Sequence, residues 1–77
     1  MSSATDELLD LHDWLRTGEA RRIRERARLS AAALARDIDV TPGAVNKWEL
    51  GLRLPQGANA LRYARLLRRL AARESGS

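Results

Sequence analysis

Two hydrogen-bonding side chains, Asn46 and Lys47, stand next to each other on a short segment that the sequence predicts to be helical. The apolar Val45 and Trp48 are expected to face inward, which leaves the amide and the amine on the outer side. An Asn amide can pair with adenine N6 and N7, and a Lys amine can approach guanine O6 and N7. The segment can therefore read base edges in a DNA major groove, with an ordinary helical hairpin as the alternative.

Two short helices, over about 31–38 and 42–50, are predicted to position these side chains. Thr41 is a good N-cap and is followed by proline, which suits the first helical position, while Gly51 ends the segment. Ser30 is the expected cap of the preceding helix. The connection between them is so short that it must hold the two packed helices at a steep angle.

Three further segments are predicted to be helical, and none alternates in the manner of a strand. Ser3 or Thr5 can cap the first of them, and Gly18 follows its end. They span about 6–16, 19–28 and 58–73. The expected fold is all-α with five helices. Its expected organisation is an acidic amphipathic helix over 1–18, a helical domain over 19–73 and a disordered tail over 74–77.

Composition excludes several classes of function. The chain has 77 residues, no Cys and one His, so thiolate sites and His-based metal sites lack their ligands. Ser30, Glu25 and His12 form no plausible catalytic site. No apolar run approaches the roughly 18 residues that span a bilayer. We therefore expect a cytoplasmic chain that is not an enzyme and has no cofactor, metal, membrane or small-molecule partner.

Charge is divided unevenly along the chain. Residues 1–15 hold four acidic and no basic residues, which gives −4, whereas residues 16–77 hold 14 basic and 6 acidic residues, which gives +8. A small basic body favours an anionic partner such as nucleic acid or a membrane surface. Solvated arginines on exposed helix faces are the alternative.

The arrangement of apolar and special residues resembles a known family. The chain is similar to the XRE-type, Cro/CI-type helix-turn-helix domain of phage repressors and bacterial regulators, which has a lambda-repressor-like fold. The resemblance covers about 20–70 and depends on Ile23-Arg24, Leu29-Ser30, Leu34-Ala35, Val40-Thr41, Val45, Trp48-Glu49-x-Gly51 and Pro55.

The resemblance implies roles for the two short helices. The helix over 31–38 is the positioning helix, and the helix over 42–50 is the recognition helix. Arg24 and Glu49 match a pair that forms a buried or half-buried salt bridge in the family. The alternative is two exposed charges that contribute under about 1 kcal/mol.

DNA contacts are expected from side chains and from helix starts. Asn46, Lys47 and Thr41 are the expected base readers, and backbone N–H groups at 30–32 and 41–43 can bind phosphates. Arg53 is the expected phosphate clamp, with Arg28 and Arg36 as weaker candidates. The full expected set is Ser30, Ala31, Arg36, Thr41, Pro42, Gly43, Asn46, Lys47 and Arg53.

The chain departs from the family pattern at several positions. Ala31 stands where the family often has Gln, and Pro42 and Gly43 stand where polar residues are common. Few side chains are therefore left for base contacts, and DNA shape can supply part of the specificity. Arg28 and Asp39 occupy turn positions that are commonly Gly. Asp tolerates a left-handed backbone better than Arg, so the turn at Arg28 is expected to differ.

Both ends of the chain carry apolar stripes that something must cover. The first helix packs either on the domain's own core or against a partner, and part of the last helix can pair two subunits. The residues considered for a dimer or partner contact are Leu8, Leu11, Trp14, Leu15, Tyr63, Leu66 and Leu70.

Together these features predict a sequence-specific transcriptional regulator. The leading hypothesis is a small phage-type or Cro-like repressor that occupies an operator in double-stranded DNA. It is expected to bind as a homodimer, with half-sites about one helical turn apart. The alternative is an antitoxin or accessory protein-interaction module with the same fold.

Overall fold

The computed structural model describes residues 3–76, with side chains as far as Glu74. Its described residues form helices and turns, with no strand, which confirms the expected all-α class. Five helices follow in order: α1 Ala4–Thr17, α2 Glu19–Arg26, α3 Ala31–Asp37, α4 Pro42–Glu49 and α5 Gly57–Gly76. None of the described helices is both long enough and apolar enough to cross a membrane.

The end of the chain differs from the sequence prediction. Helix α5 was expected to stop at Arg73, but it continues to Gly76, so most of the expected tail over 74–77 is helical. The Glu74 carboxylate lies 2.7 Å from Arg26 Nε of α2, a contact that holds this last turn against the body. Ser77, like residues 1 and 2, lies outside the described residues.

Side-chain caps begin three of the helices as the sequence predicted. Ser3 forms a capping box with Asp6, since its Oγ accepts from the Asp6 N–H at 3.1 Å. Ser30 Oγ accepts from the Ala33 N–H at 3.0 Å, and Thr41 Oγ1 accepts from the Ala44 N–H at 3.2 Å. These bonds fix where α3 and α4 start.

Helices α2, α3 and α4 all end in the same backbone motif. A left-handed residue follows each helix, at Arg28 (φ 56°), Asp39 (φ 61°) and Gly51 (φ 75°). The next N–H donates to the carbonyl five residues earlier, as in a Schellman cap: Leu29 to Arg24 at 3.1 Å, Val40 to Ala35 at 2.9 Å and Leu52 to Lys47 at 2.9 Å. The expectation of a different turn at Arg28 is therefore wrong, because the hydrogen bonds and the partial burial of Leu29 hold it left-handed.

The apolar stripes of α1 and α5 are covered largely by the chain's own core. Helix α1 packs against α2 and α5, and α3 packs against α4. Four side chains considered for a partner contact are buried in the chain's own core: Leu11, Leu15, Tyr63 and Leu66. Their assignment to an interface is corrected, because they have little or no surface left for a partner. Three others are half-buried and pack against that core: Leu8, Trp14 and Leu70.

Candidate nucleic-acid interface

An ion pair fixes the end of α4 to α2. Arg24 Nε donates to Glu49 Oε2 at 2.6 Å, and Arg24 Nη2 donates to Glu49 Oε1 at 3.0 Å. Arg24 Nη1 also donates to the Leu29 carbonyl at 2.9 Å. The two side chains are 12% and 6% exposed, so the exposed-charge alternative does not apply. The bonds to Glu49 raise the pKa of the Arg24 guanidinium above its ordinary value.

Apolar contacts hold the inner face of α4. Val45 is fully buried and Trp48 is 6% exposed. The Trp48 ring centroid lies 5.2 Å from that of Tyr63 on α5, with the rings tilted by 34°. Together with the ion pair, these contacts determine which side of α4 faces away from the protein.

The outer face of α4 carries the predicted base readers. Asn46 and Lys47 are exposed, as are Pro42 and Gly43 at the start of the helix. A Cβ built on Gly43 meets only Thr41 Oγ1, at 4.0 Å, so little bulk covers this end. The outer face therefore offers an amide, an amine and an accessible backbone.

Helix α4 lies between two grooves. The larger is an open cleft of about 610 Å³, and the predicted residues that line it are Thr41, Gly43, Lys47 and Arg53. Asn46 lines the smaller groove, of about 230 Å³, together with Arg21 and Leu50. The two expected base readers thus border different sides of one helix.

Sequence reasoning missed residues on the walls of these grooves. Gln56 and Asn59, at the start of α5, line the larger cleft with Arg53. The local signal was an amide immediately before α5 and another in its first turn, but nothing in it pointed to α4. Arg21 on α2 lines the smaller groove, and nothing local in the sequence indicates this, because α2 and α4 are distant in the chain.

Several residues predicted to contact DNA have fewer groups available for it than their types suggest. The Ser30 and Thr41 hydroxyls already accept capping bonds, so each keeps mainly its O–H as a donor. Pro42 has no N–H, which leaves Thr41 and Gly43 as the donors at the start of α4. Ala31 is half-buried against the core and can offer only its backbone, whereas Arg36 is exposed.

Ion pairing distinguishes the helix-turn-helix from the rest of the molecule. Carboxylates neutralise arginines of α2 and α5, as in the pairs of Glu19 with Arg22 and Arg26. Hydrogen bonds from these two arginines lower the pKa of Glu19. Within the described residues, the cations of the α3–α4 region have no carboxylate partner: Arg28, Arg36, Lys47 and Arg53. These four cations surround α3 and α4, while on α5 the arginines without a carboxylate partner among the described residues are Arg62 and Arg73.

A family model described as helix-turn-helix matches residues 21–73. The chain belongs to this XRE-type helix-turn-helix family. This agrees with the resemblance seen in the sequence, and the all-α arrangement is consistent with a lambda-repressor-like fold. The family consists of DNA-binding transcription regulators that are typically not enzymes. No curated protein and no solved structure matches the chain.

Helices α3 and α4, which pack against each other, both lie within the range matched by the family model. The family model starts at Arg21, so α1 lies outside the matched range. Helix α1 nevertheless packs on the matched part, through α2 and α5.

Proposed function

We propose that the chain is a small, sequence-specific repressor that acts by occupying an operator, with α4 in the major groove. The observation that carries this proposal is the outward position of Asn46 and Lys47 on a helix whose other side is anchored. Trp48 and the Arg24–Glu49 ion pair supply that anchor. A rigidly held helix with exposed polar groups suits base reading, because the reader must keep its register.

Specific contacts are assigned to few side chains. Asn46 would pair with adenine and Lys47 with guanine, while Pro42 offers only apolar contact to a thymine methyl. Gly43 lets the backbone approach the base edges closely. With so few readers, local DNA shape contributes to the choice of site.

Phosphate contacts are assigned to the larger cleft and the neighbouring turns. Arg53, Gln56 and Asn59 lie together along one wall region beside α4. Arg36 and the backbone at Ser30 and Ala31 are further candidates on the side of α3. Such contacts set the position of the protein on the duplex and carry no sequence information.

A homodimer on the operator is the expected assembly. Half-sites of a two-fold operator lie about 34 Å apart. The chain measures 30 × 27 × 23 Å, so two copies fit beside each other on one face of the duplex. The exposed apolar side chains beside α4 are available for contact between copies: Leu50, Leu52 and Leu54. Operator occupancy of this kind places the protein in the cytoplasm.

Selection from random duplex DNA followed by binding titrations tests the function. We expect Asn46→Ala and Lys47→Ala each to lose about 1–3 kcal/mol of discrimination between the selected and a scrambled site. Arg53→Ala should weaken binding to both sites alike and reduce the salt slope by about 1. Arg16→Ala is the matched control, because Arg16 is an exposed arginine at the end of α1.

Two outcomes contradict the proposal. One is that selection enriches no sequence. The other is that the Asn46→Ala/Lys47→Ala variant keeps the full preference of the wild type for the selected site. Purification with a tightly bound protein partner, without DNA binding, would instead favour the interaction module.

A further inference from the structure

Helix α5 carries a second concentration of basic side chains. Its arginines are Arg62, Arg65, Arg68, Arg69 and Arg73. Arg65 and Arg68 lie on the side of α5 that faces α1, since they pair with Glu7 and Asp10 of that helix. Uncompensated, these cations would offer phosphates a separate face.

Acidic residues of α1 compensate the middle of this face. Arg65 Nε donates to Glu7 Oε2 at 2.9 Å, and Arg68 Nη2 donates to Asp10 Oδ2 at 2.7 Å. The Glu7 side chain is only 13% exposed, whereas Arg65 is 60% exposed. Acidic residues of α1, which precedes the family match, thus neutralise cations of α5, which lies within the match.

These pairs are not needed to attach α1. Its attachment comes from Leu11 and Leu15, which are buried in the core. Ion pairs with this much exposure contribute under about 1 kcal/mol to stability. Their larger effect is on the field around α5, because each carboxylate cancels one positive charge where a phosphate could otherwise bind.

We propose that α1 is an electrostatic mask, in which Glu7 and Asp10 neutralise Arg65 and Arg68 and weaken phosphate binding on the side of α5 that faces α1. This inference rests on the proposed DNA-binding function and adds a source of specificity. Affinity for arbitrary DNA grows with the number of cations that contact phosphates. Masking α5 lowers that affinity without touching the base readers, and so raises the ratio of specific to non-specific binding.

The Glu7→Gln/Asp10→Asn variant tests the mask. Its affinity and that of the wild type are measured for the selected operator and for a scrambled duplex over a range of salt concentrations. For the scrambled duplex, the slope of log K against log salt should steepen by about 0.9 for each phosphate newly contacted. With two new contacts, the variant loses about 10-fold more affinity than the wild type between about 50 and 200 mM salt. The operator-to-scrambled affinity ratio should fall.

Two control variants separate the mask from net charge and from folding. Asp13→Asn changes the net charge as much as Glu7→Gln alone, but it frees Arg16 at the end of α1 and no cation of α5, so its slope should steepen less than that of Glu7→Gln. Glu7→Gln/Arg65→Gln removes both partners and should return the slope to that of the wild type. Circular dichroism of each variant verifies that it is folded, and Glu7→Gln alone serves if the double variant is not.

The two proposals fail in different ways. If the wild type binds its operator and the Glu7→Gln/Asp10→Asn slope on scrambled DNA is unchanged, the mask is wrong and the proposed function stands. Equal steepening in Asp13→Asn and in Glu7→Gln alone also overturns the mask, because net charge then explains the effect. If the wild type binds no duplex, both proposals are wrong.

Discussion

Arg28 and Asp39 hold left-handed backbone conformations, with φ of 56° and 61°. A residue with a Cβ pays about 1–2 kcal/mol for such a conformation, and Asp less than Arg. The third position of the same kind, in the turn after α4, is Gly51. The two strained turns are therefore places where single residues limit the stability of the chain.

Arg28→Gly should raise the free energy of unfolding by about 1 kcal/mol, because glycine adopts a positive φ without steric cost. For a chain of this size, that corresponds to a rise of about 4–8 °C in Tm. Thermal unfolding followed by circular dichroism measures it. Arg36→Gly is the matched control, since Arg36 is an exposed arginine within α3 and its replacement should cost about 1 kcal/mol. A lower Tm for Arg28→Gly would contradict the strain argument.

Tyr63 is fully buried, and its hydroxyl has no hydrogen-bond partner within the described part of the chain. Burial raises the pKa of Tyr63 well above its ordinary value of 10.0. Tyr63→Phe should therefore keep or raise stability, by up to about 1–3 kcal/mol, because an unsatisfied polar group is removed. Urea unfolding at neutral pH measures the difference. A loss of more than about 1 kcal/mol would show that the hydroxyl has a partner.

The same tyrosine predicts a difference between wild type and Tyr63→Phe in alkali. Above pH 10, a tyrosine ionises in the unfolded chain while the buried one stays neutral, so ionisation favours unfolding. The free energy of unfolding of the wild type should therefore fall through Tyr63 ionisation as the pH rises above 10, and that of Tyr63→Phe should lack this contribution. Unfolding curves at pH 8 and above pH 10 make the comparison.

At the scale of elements, the orientation of α4 depends on an ion pair between distant parts of the sequence. Arg24 and Glu49 are 25 residues apart, and both side chains are largely buried. Removal of one partner leaves the charge of the other unpaired at a largely buried position. The position of α4 is therefore sensitive to the loss of either side chain.

Glu49→Gln should destabilise the fold by about 3–5 kcal/mol, the cost of breaking a buried pair from one side. Urea unfolding measures this loss. Glu25→Gln is the control, because the Arg21–Glu25 pair is more than half exposed and its loss should cost under about 1 kcal/mol. Arg24→Met/Glu49→Leu should cost less than the sum of the two single changes, since it leaves no buried charge. Equal losses for Glu49→Gln and Glu25→Gln would contradict the assigned role.

The starts of helices were more predictable than the contacts between helices. Ser30 and Thr41 begin α3 and α4 through bonds within four residues, so the sequence alone was sufficient to place those starts, whereas for α1 it left Ser3 and Thr5 open and predicted a start two residues too late. The Arg24–Glu49 pair was expected only through the resemblance, because it joins distant segments. Whether Leu11 faced the core or a partner could not be predicted, since an apolar stripe has the same spacing in either case. Gln56 and Asn59 were missed because no local rule links them to α4.

At the scale of the whole molecule, the folded unit is larger than the family match. The match covers residues 21–73, yet α1 contributes Leu11 and Leu15 to the common core. A chain of this size buries only about 60% of the surface exposed on unfolding, so each buried leucine is a large part of its stability. Helix α1 therefore stabilises the fold in addition to supplying acidic side chains.

Leu11→Ala should cost about 2–5 kcal/mol, a large part of the roughly 4–12 kcal/mol available to a chain of this length. Removal of residues 1–17 should leave a chain that is mostly unfolded. Leu9→Ala is the matched control on the same helix, because Leu9 is 58% exposed and its replacement should change stability by less than about 0.5 kcal/mol. Thermal unfolding of the three variants makes the comparison. A truncated chain as stable as the wild type would show that α1 is dispensable.

The open space around Gly43 determines which substitutions the chain accepts at this position. An added Cβ there meets ordinary van der Waals contact only, the backbone is not left-handed, and replacement of this glycine in the first turn of α4 by alanine gains up to about 1 kcal/mol. Position 43 is exposed, so a polar residue there would add a hydrogen-bonding group to the start of α4. Under the proposed function, a single codon change at position 43 alters the surface offered to DNA at no cost to the fold, which makes this position a starting point for divergence and for engineering.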